Sequence, residues 1–166
     1  MAVTGKIDRK YMAHYIDAGS LCGGLTPKYE RLGKDLEEYN VELNPDTETS
    51  KNILGESTFK HNGYEVSSDA DPFYADTTSD LFTALQKIVD GRLKDDNLKT
   101  KAVEVHLWTE ATAGKYEAYQ QDCYVVPTSY GGDTSGYQIP FTVNYVGERV
   151  KGKFDINSGT FTADSE

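Results

Sequence analysis

The chain predicts a mainly β (α+β) fold: two packed antiparallel sheets, as a sandwich or barrel, with one flanking α-helix. Three observations carry this. Several segments alternate apolar and polar residues with the period of two that a half-buried strand requires. Only one stretch, residues 76–91, repeats its apolar residues with helical spacing. The order is β-rich, helix, β-rich, without the βαβ alternation that builds a parallel sheet. A length of 166 residues suits one domain over residues 1–166. Twelve tyrosines against six phenylalanines suit half-buried sheet faces and contact surfaces.

In chain order, residues 1–9 are polar and read as an N-terminal arm, and residues 11–16 as a first strand. The Gly- and Pro-bearing residues 18–27 read as a loop, followed by a short extended piece at 29–32. Residues 38–44 alternate cleanly, with Tyr39, Val41 and Leu43 on one face and Glu38, Asn40, Glu42 and Asn44 on the other. Pro45 is expected to interrupt pairing and to open a polar loop over residues 44–56, tipped by Ile53 and Leu54. That loop either folds on its own domain or orders only against a neighbouring subunit. Residues 57–67 read as extended, with Asn62-Gly63 as a hairpin turn or a bulge.

The helix presents Leu81, Phe82, Leu85, Ile88 and Val89 at i, i+1, i+4, i+7 and i+8, a stripe expected to lie on its own subunit's sheet. Thr77, Thr78 and Ser79 offer capping hydroxyls, Thr77 with Asp80 makes a partial capping box, and Gly91 suits the left-handed C′ position. Strands are expected at 102–108, with Val103, Val105 and Leu107 inward, and at 116–126. A turn cluster at 129–136 precedes the long alternation Tyr137, Ile139, Phe141, Val143, Tyr145. Pro140 cannot donate to a ladder, which predicts a sheet edge for that strand. A short strand at 150–156 and a polar tail at 157–166 complete the chain.

The net charge is −10, and residues 30–96 carry seven basic against sixteen acidic residues. This argues against a surface that grips nucleic acid, which needs clustered cations. Cys22 and Cys123 are far apart without a CxxC, so no disulfide framework is expected. The N-terminus lacks a signal-like apolar run and nothing is long enough to span a bilayer, so a soluble, cytoplasmically made protein is expected.

Nucleophile elbow, P-loop, dinucleotide fingerprint and His-Glu-x-x-His are all missing, so the protein is expected not to be an enzyme and to need no cofactor. His14, His61 and His106 fall on separate strands and read as surface or core residues. Asp69, Asp71, Asp76 and Asp80 could supply oxygen ligands to calcium but lack EF-hand spacing, and acids at a helix start are explained by the macrodipole.

Gly63-Tyr64-Glu65, then Asp69-Ala70-Asp71-Pro72-Phe73-Tyr74-Ala75-Asp76, then the short helix closing on Gly91-Arg92, resembles the major tail tube proteins of long-tailed bacteriophages and prophages. The resemblance extends upstream to Val41-Glu42-Leu43-Asn44-Pro45-Asp46-Thr47-Glu48 and Asn52-Ile53-Leu54-Gly55, and it favours a bulge at Asn62-Gly63. It implies a tail-tube-like fold and a structural subunit that self-assembles into stacked hexameric rings, whose inner β-barrel forms a conduit for DNA ejection. Its partners would be other copies of itself, a tape measure protein, and tail initiator and terminator proteins. DNA would pass without specific binding, no membrane would be involved, and assembly in the bacterial host cytoplasm would precede residence in the virion tail.

The resemblance also implies that residues 44–56 bridge subunits or rings, with Asn44, Pro45, Asp46, Glu48 and Lys51 along the segment and Ile53 and Leu54 as anchors. Alternation then suggests Glu38, Asn40 and Glu42 as lumen-facing. Two other readings remain: the tube protein of a contractile injection or type VI-like secretion device, and a monomeric β-sandwich binding module whose tyrosines and Trp108 line a site. The apparent lack of clustered exposed aromatics weighs against the module.

Overall fold

The computed structural model describes residues 3–34, 36–109 and 112–165. Met1 and Ala2 of the expected arm and Glu166 of the expected tail lie outside the described residues. In order the elements are β1 (Met12–Asp17), β2 (Tyr29–Leu32), β3 (Val41–Glu42), β4 (Pro45–Lys51), β5 (Ser57–Tyr64), β6 (Ser67–Ala70), α1 (Asp80–Gly91), β7 (Lys99–His106), β8 (Lys115–Pro127), β9 (Gly131–Asp133), β10 (Gly136–Gln138), β11 (Phe141–Asp155) and β12 (Thr160–Ala163). One antiparallel sheet runs β2-β1-β7-β8-β11-β6-β3 with β12 on β11, and β4-β5 and β9-β10 form two separate hairpins. The fold is thus mainly antiparallel β with one flanking helix, as the sequence predicts.

The large sheet curls. Tyr15 on β1 and Phe154 on β11 are three strand spacings apart along it, which a flat sheet would hold about 14 Å apart. Their ring centroids are 4.5 Å apart, and Tyr29 on β2 meets the same Phe154 ring edge-on. The facing layers therefore belong to one continuous sheet. Inside the curl, Ala13, Val103, Val105, Ala118 and Phe154 form one core. On the opposite face, Ile16, Cys123, Val125, Phe141 and Val143 form a second core with α1.

Individual strands consequently bury one face at one end and the other face at the other end. In β11, Phe141 and Val143 face the helix, the ladder slips between Val146 and Val150, and beyond the slip Phe154 faces the curl. In β7, Thr100 and Ala102 are buried on the helix side and Val103 and Val105 on the other. Gly152 is required by this geometry, because a Cβ there would lie 2.3 Å from the Thr162 carbonyl oxygen of β12.

Helix α1 begins at Asp80, four residues later than the spacing predicts. Ser79 is the N-cap, its hydroxyl accepting from the Phe82 amide at 3.1 Å. The Thr77–Asp80 capping box does not form: Asp76 instead accepts from the amide and hydroxyl of Thr78 in a local turn. Glu30 of β2 reaches the helix start, accepting from the Leu81 amide and the Ser79 hydroxyl, a favourable place for a carboxylate. At the other end Arg92, not Gly91, adopts the left-handed conformation (φ 48°). The Arg92 amide bonds Val89 and the Leu93 amide bonds Ile88, a Schellman closure. Leu93 then folds over Gly91, where a Cβ would lie 3.1 Å from it.

Other expectations are corrected. The strand predicted at 38–44 is reduced to Val41–Glu42. Tyr137 to Tyr145 is not one strand: β10 ends at Gln138, Pro140 sits in the break, and β11 starts at Phe141 between β8 and β6 rather than at an edge. The turn cluster at 129–136 is mostly the β9–β10 hairpin, and the predicted tail at 157–166 contains β12. The N-terminal arm is tied down in part, Val3 donating to the Trp108 carbonyl. Both cysteines are free thiols, and burial pushes Cys123 up to about 12.

Candidate assembly surface

The segment expected as a loop at 44–56 is the first strand and tip of a β-hairpin arm. Pro45 is the first residue of β4, where a missing N–H is tolerated. Seven pairs join β4 to β5, from Pro45 opposite Tyr64 to Lys51 opposite Ser57. The register slips once: Asp46 faces Gly63 and Thr47 faces His61, leaving Asn62 as a bulge. Every residue of β4, and every residue of β5 but Gly63, is exposed. Asn44 hinges the arm in the left-handed region (φ 44°), its side-chain amide donating to the Glu65 carbonyl and the Ser67 hydroxyl.

The arm is two-faced. Thr49 opposes Phe59, Thr47 opposes His61, and the bulge returns Tyr64 to the same side, with the His61 and Tyr64 rings 4.6 Å apart. The other side carries Glu48 opposite Lys60 and Ser50 opposite Thr58. At the tip, Asn52 Oδ1 accepts from the amides of Leu54 and Glu56, and Asn52 Nδ2 donates to Glu56. This locked turn holds Ile53 at 102% and Leu54 at 76% exposure, while Phe59 and Tyr64 stand 66% and 60% exposed.

At the arm's base, on the part of the helix-side sheet face that α1 does not cover, lies a cleft of about 540 Å³. Leu43, Tyr64 and Val66 form its arm-side wall, and Tyr145, Gln121 and Tyr119 line the sheet side. Several of its polar groups are paired. The Tyr39 and Tyr145 hydroxyls are 2.8 Å apart, and burial holds the Tyr39 phenol well above its ordinary range. Glu104 meets His106 Nε2 at 2.8 Å and Arg149 at 3.3 Å, so its carboxyl is held low, mainly by the His106 hydrogen bond. The Arg149 guanidinium lies 4.2 Å over the Tyr119 ring. Burial, aided by Arg9, pushes the His14 imidazole down to about 4.

Glu38, Asn40 and Glu42 are all exposed, and Asn40 donates to Glu38 at 2.6 Å, but Glu38 and Asn40 precede β3 rather than lying on a strand. Tyr39 is buried, Val41 half-buried and Leu43 exposed, and all three line the cleft. Asn44, Pro45, Asp46, Glu48, Lys51, Ile53 and Leu54 all lie exposed along the arm. Leu81, Leu85, Ile88 and Val89 are buried against the helix-side core, with Phe82 at its margin against Tyr137.

The sequence reading missed the clustered aromatics: Phe59, His61 and Tyr64 are exposed together on the arm. Their spacing was hidden by the bulge, and the large tyrosine count was the one available signal. Asp69, Asp76 and Asp80 each engage a different partner, Thr142, Lys34 and Lys28 respectively. Among the described residues no three His, Cys, Asp or Glu side chains group as a metal site, and no helix is long and apolar enough to cross a membrane.

The sequence matches no family model and no curated protein. Among solved structures, the chain is similar to the sheath/tube terminator of an extracellular contractile injection system, PVC, seen by cryo-EM in the extended state. The identity is 10%, the match covers 90% of this chain and 99% of that one, and the TM-score is 0.49.

Proposed function

We propose that the chain is a structural subunit of a phage-type tail tube, associating into hexameric rings that stack around a conduit for DNA. The observation that carries this is the arm. A lone two-stranded hairpin is marginal in water, yet this one exposes an aromatic face and an aliphatic tip over its whole length. Contiguous exposed apolar patches of this kind mark interaction sites. The sequence resemblance supplies the class of assembly.

In this reading residues 44–56 bridge subunits or rings, and Glu38, Asn40 and Glu42 face the lumen. Acids there keep DNA off the wall within a Debye length, about 8–10 Å. Tape measure, initiator and terminator proteins are the expected partners, with assembly in the host cytoplasm and residence in the virion tail. The role in this reading is structural rather than enzymatic: Glu104 is tied to His106 and Arg149, and the Tyr39 and Tyr145 hydroxyls to each other. A contractile injection or type VI-like tube would use the same contacts and need not pass DNA.

The tyrosine-lined cleft favours a second reading, a monomeric binding module. The two separate on one variant, Ile53→Asp with Leu54→Asp. For a tube subunit it keeps the wild-type circular dichroism and melting temperature but no longer forms sedimenting polymers. Polymerisation equal to wild type rejects the arm as the assembly element.

A further inference from the structure

The arm tip and the base cleft are a knob and a hole on one chain that cannot meet within it. Seven paired residues at about 3.3 Å per residue place Ile53 and Leu54 about 23 Å from the arm's base, and the base itself, through Leu43, Tyr64 and Val66, walls the cleft. The tip is stiffened by the Asn52 turn, so little conformational freedom is lost when it is captured. The cleft offers tyrosine and aliphatic surface to the two exposed aliphatic side chains. Charge does not oppose the fit: Lys51 and Glu56 flank the tip, and Glu104 with Arg149 lies at the cleft, so both sites are charge-balanced.

We infer that the cleft is the receptor for the Ile53–Leu54 tip of a second copy of this chain. This rests on the tube-subunit reading and adds the partner surface to it. Knob and hole lie on different parts of the surface, so the contact is heterologous. It leaves each copy with one tip and one cleft still to fill, which propagates into a ring or a stack rather than stopping at a dimer.

Two experiments test it, each run beside the wild-type protein. In a Cys22→Ser background, Leu54→Cys together with Gln121→Cys is treated after assembly with a short thiol-to-thiol cross-linker. The expected result is a ladder of covalent multimers, whereas a mixture of the two single variants gives dimers only. Separately, Gln121→Trp fills the cleft from a half-buried position, and should keep the wild-type melting temperature while raising the critical concentration for assembly by about tenfold or more. Polymers that form without a cross-linked band, or a Gln121→Trp critical concentration equal to wild type, overturn the receptor assignment and leave the tube reading standing. A wild-type protein that never polymerises overturns both.

Discussion

His14 shows how the cleft constrains its own residues. It lies buried on β1 opposite Glu104 of β7, against the Tyr39 ring, with Arg9, Arg31 and His106 nearby. Burial first, then Arg9, lowers its pKa to about 4. The unfolded chain takes up this proton near pH 6.5, so between those values the unfolded state binds more protons than the folded one. The stability from a neutral His14 is therefore complete above about pH 6.5 and is lost as pH falls toward 4, by roughly 3 kcal/mol. Urea unfolding at pH 7 and pH 4.5 should show a smaller loss on acidification for His14→Gln than for wild type. Equal losses would mean that His14 is solvated.

At the scale of elements, the helix and the strands differ in how much of them the sequence discloses. A single helix packed on one side keeps one apolar stripe, so Leu81, Leu85, Ile88 and Val89 are legible from spacing alone. Its first turn is not, because three consecutive hydroxyl residues compete and the choice is made by Glu30, which approaches from β2. Ser79→Ala should cost about 1–2 kcal/mol and Thr77→Ala less than about 0.5 kcal/mol in thermal or urea unfolding. The reverse order would move the helix start.

Strands are harder to read. A simple alternation assumes one wet face and one dry face from end to end, and β1, β7, β8 and β11 exchange those faces along their length because the sheet curls. Hence Ala102 and Val103 are both buried although adjacent, and Tyr137 to Tyr145 reads as one strand although Pro140 divides it. The arm was hidden for a related reason: both of its faces are exposed in one subunit, so β4 shows no apolar alternation at all.

For the whole molecule, the arm and the cleft leave apolar surface exposed in the single chain, while the acidic balance of residues 30–96 opposes DNA binding. If Glu38 and Glu42 face a lumen, Glu38→Lys with Glu42→Lys should assemble normally and deliver DNA poorly in a plaque or ejection assay. Unchanged infectivity would place those residues elsewhere. The most direct measurement is electron microscopy of the purified protein across a concentration series. The account predicts hollow tubes of uniform diameter above a critical concentration. Single subunits at every concentration, with a small ligand binding stoichiometrically in the tyrosine cleft, would contradict it.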